Sequence, residues 1–213
     1  RKKKRPSGAT RSRMSREMRA KRMRPRPRPR ADDDVDEEEE GPIKRIGTRI
    51  FFYTTVTSEH VQTLLELMQE ANKEALTTAS PEIHVHIMSG GGDAYAGMSA
   101  YYHIRRNPLP VVTYVDSMAA SAATLLLLAG HRRVACKHAF CLIHQISTGF
   151  FGKYHDMIDE MHNTHNLMDA FRQLYMERSN MTRERLEELF RSEKALDAAT
   201  CLQEGILDEV LDV

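Results

Sequence analysis

Three cysteines in 213 residues are too few and too scattered to staple a fold. Cys136, Cys141 and Cys201 are odd in number and lack the paired spacing of a zinc site. Neither a disulfide framework nor a structural metal is indicated, and a reducing compartment is expected. No apolar run approaches the ~18 residues that a membrane-spanning helix needs. An N-terminal signal segment needs an apolar stretch, and arginines stand where it should lie. The chain begins at Arg1 and not at Met, the pattern expected of a trimmed or processed chain. Its densest glycine cluster, Gly90 to Gly92, has neither the Lys-Ser/Thr of a phosphate-binding loop nor the spacing of a dinucleotide fingerprint, so nucleotide binding is not read there.

Charge of one overall sign is also missing, but the formal net of +1 hides a segregation. Residues 1–30 carry 15 Lys/Arg against the single acid Glu17, and residues 32–40 carry eight acids. Arg-Pro repeats over 24–30 are extended and self-repelling, and the acidic block cannot bury apolar surface, so residues 1–41 are expected to be disordered. The Arg1-Lys2-Lys3-Lys4-Arg5-Pro6 run suits a nuclear-import or nucleic-acid patch, or else a solvated tail partly neutralised by its own acidic block.

From residue 42 onward, strands and helices alternate. Arg49 to Val56 has strand composition. Ser58 opens a helix with apolar residues at Val61, Leu64, Leu65, Met68 and Ala71. Ile83 to Met88 alternates with period two, placing His84 and His86 on one face. Two histidines invite a metal, but no third ligand is evident, and an exposed interface face suits them better. A helix follows from Ala94 to about Arg106, then a strand from Val111 to Val115. After Asp116, alanines and leucines run as a helix to Gly130. Arg132–Cys136 and Ala139–Ile143 read as two more strands. A long amphipathic helix spans about 153–177, with Met157, Met161, Met168, Phe171 and Tyr175 on one stripe, read as core. Its length suggests packing against another helix or another subunit. Thr182 opens a shorter helix to Arg191, Asp197 caps a last one, and Ile206 to Val210 is a final strand. Alternating β and α elements argue a parallel sheet covered by helices.

Ser121 lies at a strand-to-helix turn among alanines. As a bare residue it is an N-cap. As a nucleophile it would have first-turn amides, Ala122 included, beside the charge that develops in acyl transfer. His144 ends a strand in the place where open α/β sheets present ligand contacts. A serine needs a base, and the base an acid to hold its tautomer.

These residues carry a resemblance. From about Lys44 to Val213 the chain resembles the proteolytic subunit of the Clp protease. The family's Ser-Pro-Gly-Gly turn is matched by Ser89-Gly90-Gly91-Gly92 and its Ala-Ala-Ser-Met segment by Ala119-Ala120-Ser121-Ala122. Its Met-Ile-His-Gln-Pro is matched by Leu142-Ile143-His144-Gln145-Ile146. The resemblance implies an α/β fold of the Clp protease and crotonase type: a repeated β-α-β superhelix with a protruding handle helix, over residues 42–213. It implies a serine endopeptidase that degrades unfolded polypeptides inside stacked heptameric rings. Ser121 would be the nucleophile, His144 the base and Glu193 the acid, with Asp197 as the second choice. The amides of Gly91 (or Gly92) and Ala122 would form the oxyanion hole. No metal or cofactor is implied, ATP being used only by a Clp-type ATPase partner. The setting would be cytoplasmic, with a nuclear or viral one open because of the tail.

Four departures from the pattern stand out: Gly90 and Ile146 where the family has prolines, Glu193 where it has Asp, and histidines 84 and 86 where it often has aromatics that receive the ATPase. Three other readings stay open at this point. They are a catalytically weak scaffold subunit of the same fold, an acyl-thioester enzyme of the crotonase type, and an oligomeric platform whose residues 1–30 bind nucleic acid or gate a pore.

Overall fold

β-branched and aliphatic runs that bury both faces fit the middle of a parallel sheet, and the run Val111-Val112-Thr113, all buried, is used so. The computed structural model describes residues 41–212. The expected charged tail lies outside the described residues but for Gly41. β1 (Ile43–Ile46) and β2 (Arg49–Phe52) form an antiparallel hairpin at one edge. β3 (Ile83–Ser89), β4 (Val111–Ala120), β5 (Arg132–Cys136) and β8 (Glu209–Leu211) continue the sheet in parallel, in the order β1-β2-β3-β4-β5-β8. Helices α1 (Ser58–Ala75), α2 (Ala94–Arg105) and α3 (Ala123–Leu128) connect β2 through β5. The long α4 (Tyr154–Arg178), then α5 (Arg183–Phe190) and α6 (Ala198–Gln203), lie between β5 and β8 in the chain. The α/β fold expected from the sequence is present.

The sheet forks at β4, and the fork makes the site. Residues Val112–Val115 pair with β5, whereas Met118–Ala120 pair with β6 (Phe140–Leu142). A short β7 (Leu196–Asp197) then lies antiparallel on β6. This corrects the expected helix after Asp116. Alanine and leucine favour helix, but β6 on one side and the Ser89–Ala119 pairing on the other hold the backbone extended to Ala120. Only Ala123–Leu128 is helical, and all six of its residues are buried.

Other boundaries move for local reasons. The strand expected to Val56 stops at Phe52, and Val56 makes only an isolated bridge to Gly92. Thr57, not Ser58, caps α1 by accepting from the His60 amide at 3.1 Å. The last strand begins at Glu209, because the Leu207 amide still closes onto Cys201 and the Asp208 amide donates to the Arg133 carbonyl. The methionine stripe of α4 is core only toward its C-terminus. Phe171 and Tyr175 are buried, while Met157 and Met161 are exposed.

His84 and His86 share a face of β3, where His86 is sandwiched between the rings of Phe51 and Tyr114 at 4.8 and 4.6 Å. Its Nδ1 lies 3.0 Å from Asp116 Oδ1. A ring held this way is a packed member of the sheet face. Among the described residues no group of three side chains is arranged to hold a metal ion.

Arg133 ties the C-terminal strand to the rest. It donates from Nε and Nη2 to Asp208 at 2.9 and 2.6 Å, and from Nη1 to the carbonyls of Gly205 (2.9 Å) and Arg178. Burial pushes the Asp208 carboxyl up, but the hydrogen bonds and charge of Arg133 outweigh it and hold the group below its ordinary value. A depressed carboxyl contributes stability above its unfolded pKa and loses that contribution as pH falls through the folded one. Removing one partner of a fully buried pair costs about 3–5 kcal/mol, but water reaches the Asp208 side of this pair and screens it. Arg133→Met is therefore expected to lose about 2 kcal/mol of unfolding free energy at neutral pH, and less at pH 3. Urea titrations at the two pH values check this; an equal loss at both would refute the ion-pair account.

Candidate active site

Ser121 follows directly on β4 and has φ +53°, the only positive φ outside glycine among the described residues. For a residue with a Cβ this left-handed conformation costs about 1 kcal/mol, so its neighbours must hold it. The Ser121 amide donates to the Leu142 carbonyl at 2.8 Å, which fixes it to the end of β6. The Ser121 carbonyl accepts from the Thr124 amide at 2.9 Å and from Thr124 Oγ1 at 2.6 Å. The hydroxyl itself caps nothing. Ala122 occupies the N-cap position without a side-chain bond, which overturns the N-cap reading of Ser121. The Ala122 amide has no acceptor among the described residues.

The glycine turn lies against this serine. Gly91 has φ +93°, and a Cβ there would fall 2.7 Å from Ser121 Cβ and 3.1 Å from the Ala122 nitrogen. Its amide donates to Ser89 Oγ at 3.2 Å, while its carbonyl is taken by the Val56 amide at 2.9 Å. Because the Gly91 carbonyl and the Asp93 amide both turn to Val56, alternation turns the Gly92 amide the other way. Gly92 lines the cleft, and its amide has no acceptor among the described residues.

His144 stands two residues past β6. Its Nδ1 lies 3.0 and 3.1 Å from the two carboxylate oxygens of Glu193. A carboxylate only accepts, so Nδ1 is the donor of this pair, and in the neutral ring that leaves the lone pair on Nε2. Two backbone links bring Glu193 there. The Gln145 amide donates to the Phe190 carbonyl at 3.0 Å, and Cys141 pairs with Leu196. The α5–β7 connection is thus fastened on both sides of Glu193. Asp197, the other acid considered, is not brought to His144. It accepts from the Thr200 amide at 2.8 Å to cap α6, and the Thr200 hydrogen bonds hold its carboxyl below the ordinary value.

Ser121, Ala122, His144 and Gly92 line one cleft of about 430 Å³. Its far wall is α4, which contributes Leu167, Phe171 and Tyr175. Sequence reasoning did not find that wall as part of a site. An apolar stripe on a helix reads as core, and nothing local tells that half of it faces a cavity.

The sequence model of the Clp protease family matches residues 43–213. The chain belongs to the Clp protease family. A curated relative is the ATP-dependent Clp protease proteolytic subunit of Deinococcus radiodurans, 29% identical over 168 residues, or 76% of this chain and 79% of that one. Among solved structures, a point mutant of ClpP1 from Listeria monocytogenes superposes with a TM-score of 0.69 at 16% identity, covering 78% of this chain and 92% of that one. At that identity the superposition speaks for the fold. By family the chain is a ClpP-type proteolytic subunit.

Proposed function

We propose that this ClpP-type chain is a working serine endopeptidase, with Ser121, His144 and Glu193 as its catalytic residues. The observation that carries the reading is the pairing of His144 Nδ1 with both oxygens of Glu193, in a cleft shared with a serine in a strained turn. His144 Nε2 takes the hydroxyl proton as Ser121 Oγ attacks the scissile carbonyl carbon. Glu193 holds the resulting imidazolium. The negative oxygen is received by the amides of Ala122 and Gly92, which line the cleft and have no acceptor among the described residues; Gly91, whose amide donates to Ser89 Oγ, is the other candidate in the same turn. Collapse breaks the C–N bond, and His144 protonates the leaving amine. Water, activated by the same imidazole, then releases the acyl group from Ser121. This chemistry needs no metal and no cofactor.

The substrate would be unfolded polypeptide, admitted to a chamber of stacked rings in a cytoplasmic setting and fed by an ATPase of the Clp type. Exposed Tyr154, Met157, Ile158 and Met161 on the first half of α4 form an apolar face suited to ring stacking. A scaffold without activity is the less favoured reading, because an idle histidine gives no reason for its bond to Glu193. One experiment addresses both parts: a fluorophosphonate probe is reacted with the chain, and the products are sized by gel filtration. Labelling at Ser121 in a fraction of ring size is expected. Assembled protein that takes no label returns the weight to the scaffold.

A further inference from the structure

The hydrogen bonds to the Ser121 carbonyl form a chain that begins in α4. Thr124 Oγ1 lies 2.6 Å from the Ser121 oxygen, and a carbonyl only accepts, so the Thr124 proton is spent there. The Tyr175 hydroxyl meets the same Thr124 oxygen and must therefore be the donor. Tyr175 is 3% exposed and Thr124 fully buried. The tyrosine ring also packs edge-on against Phe190 at 5.9 Å and lines the cleft. A threonine bonding back to the carbonyl three residues earlier is ordinary in a first helical turn. A buried phenol on a different helix, more than fifty positions away, feeding that threonine is not.

The carbonyl at the end of this chain belongs to the Ser121–Ala122 peptide, whose N–H is the Ala122 amide of the oxyanion hole. A peptide unit is planar and trans, so fixing the direction of its oxygen fixes the direction of its hydrogen. Hydrogen bonds in series polarise one another, and density drawn to the oxygen leaves the N–H a better donor. We infer that Thr124 and Tyr175 are positioning residues for catalysis: they lock and polarise the Ser121–Ala122 peptide so that its N–H points at, and binds, the oxyanion. This rests on the endopeptidase reading above. It adds that the oxyanion hole is supported from α4, the same helix that walls the cleft. A substrate side chain lying on Tyr175 therefore touches a residue that aims the hole.

Tyr175→Phe keeps the ring and removes only the donor; Thr124→Val removes the bond to the carbonyl; Thr124→Ser keeps it. The assembled full chain is assayed with a fluorogenic peptide amide. Binding of a peptide aldehyde, which forms a tetrahedral adduct, is compared with that of the matching alcohol, which does not. Losing an oxyanion donor outright costs 10²–10³ in kcat, and weakening one should cost less. Expected are a kcat loss of roughly tenfold for Tyr175→Phe and roughly a hundredfold for Thr124→Val, with KM unchanged. The aldehyde-over-alcohol preference should fall in step, and the pH–rate midpoints should stay in place because His144 and Glu193 are untouched. Thr124→Ser should stay within about twofold of the parent, since the hydroxyl bond is retained. If Thr124→Val does not fold, Tyr175→Phe and Thr124→Ser decide. The assignment fails if Tyr175→Phe keeps both kcat and aldehyde preference, or if kcat falls with the preference intact, as a merely structural role would give. A parent that neither cleaves peptide nor takes the fluorophosphonate overturns the endopeptidase reading and this inference with it; an active parent with silent variants overturns this inference alone.

Discussion

Ser121→Ala is expected to lower peptide hydrolysis by roughly 10⁴-fold or more, and His144→Ala by a comparable factor, because removing either half of a nucleophile–base unit disables the whole. The double variant should be no worse than the single ones. Additive losses would mean that the two residues act separately, and retained turnover in Ser121→Ala would end the nucleophile assignment. Stability separates the substitutions in a second way. At φ +53° an alanine is as strained as the serine, so its melting temperature should be close to that of the parent. Glycine adopts this conformation without a Cβ clash, so Ser121→Gly should be equally inactive yet up to about 1 kcal/mol more stable, the relieved strain being partly offset by the freedom glycine adds to the unfolded chain. An inactive variant that melts higher would mark Ser121 as a residue held under strain for its chemistry. The turn itself has no structural need of a side chain there: Ala122 holds the cap position, and the Ser121 hydroxyl has no partner among the described residues.

Much of this arrangement was legible in the sequence. Period-two alternation located β3, and Ala94 to Arg105 and the long α4 fell within a residue or two of their expected places. Ser121 and His144 stand out by their places at element ends, and the family resemblance adds Glu193; the structure brings Glu193 and not Asp197 to the imidazole. What local pattern did not carry was the state of Ser117 to Ala120. Their helix-favouring composition is overruled by pairing with β6 and β3, contacts that are distant in sequence. The same holds for the edge hairpin of β1 and β2, whose first strand is only four residues long. It holds most for the Thr124–Tyr175 link. Each of those residues is ordinary in its own helix, and only the packing of α4 on the cleft joins them. Side chains that act through one another across the fold leave no period in the sequence.

The glycine turn gives the second large effect, and it separates two neighbours that look alike in sequence. At Gly91 a new Cβ would meet the Ala120 carbonyl oxygen at 2.6 Å and Ser121 Cβ at 2.7 Å, at a φ of +93° that an L-residue resists. The colliding atoms are the backbone and Cβ of the nucleophile turn, which cannot swing aside as the end of a long side chain could. Gly91→Ala must therefore move the turn away from Ser121 or push Ser121 out of its held conformation. Either shift withdraws an amide from the oxyanion. A kcat loss of roughly 10²–10³ is expected, with about 2–3 kcal/mol of stability lost to overpacking and strain. At Gly90 nothing lies within 4 Å of a built Cβ. This is the position where the family pattern has proline, so a side chain is sterically acceptable there. Gly90→Ala should keep full activity and gain up to about 1 kcal/mol by restricting the unfolded chain. Kinetics and urea denaturation of the two variants make the comparison. If Gly91→Ala cleaved normally while Gly90→Ala did not, the turn would not be presenting an amide to the reacting carbonyl, and the oxyanion donor would have to come from elsewhere. The expected pattern instead ties the activity to one peptide unit, held against Ser121 by the absence of a single carbon atom.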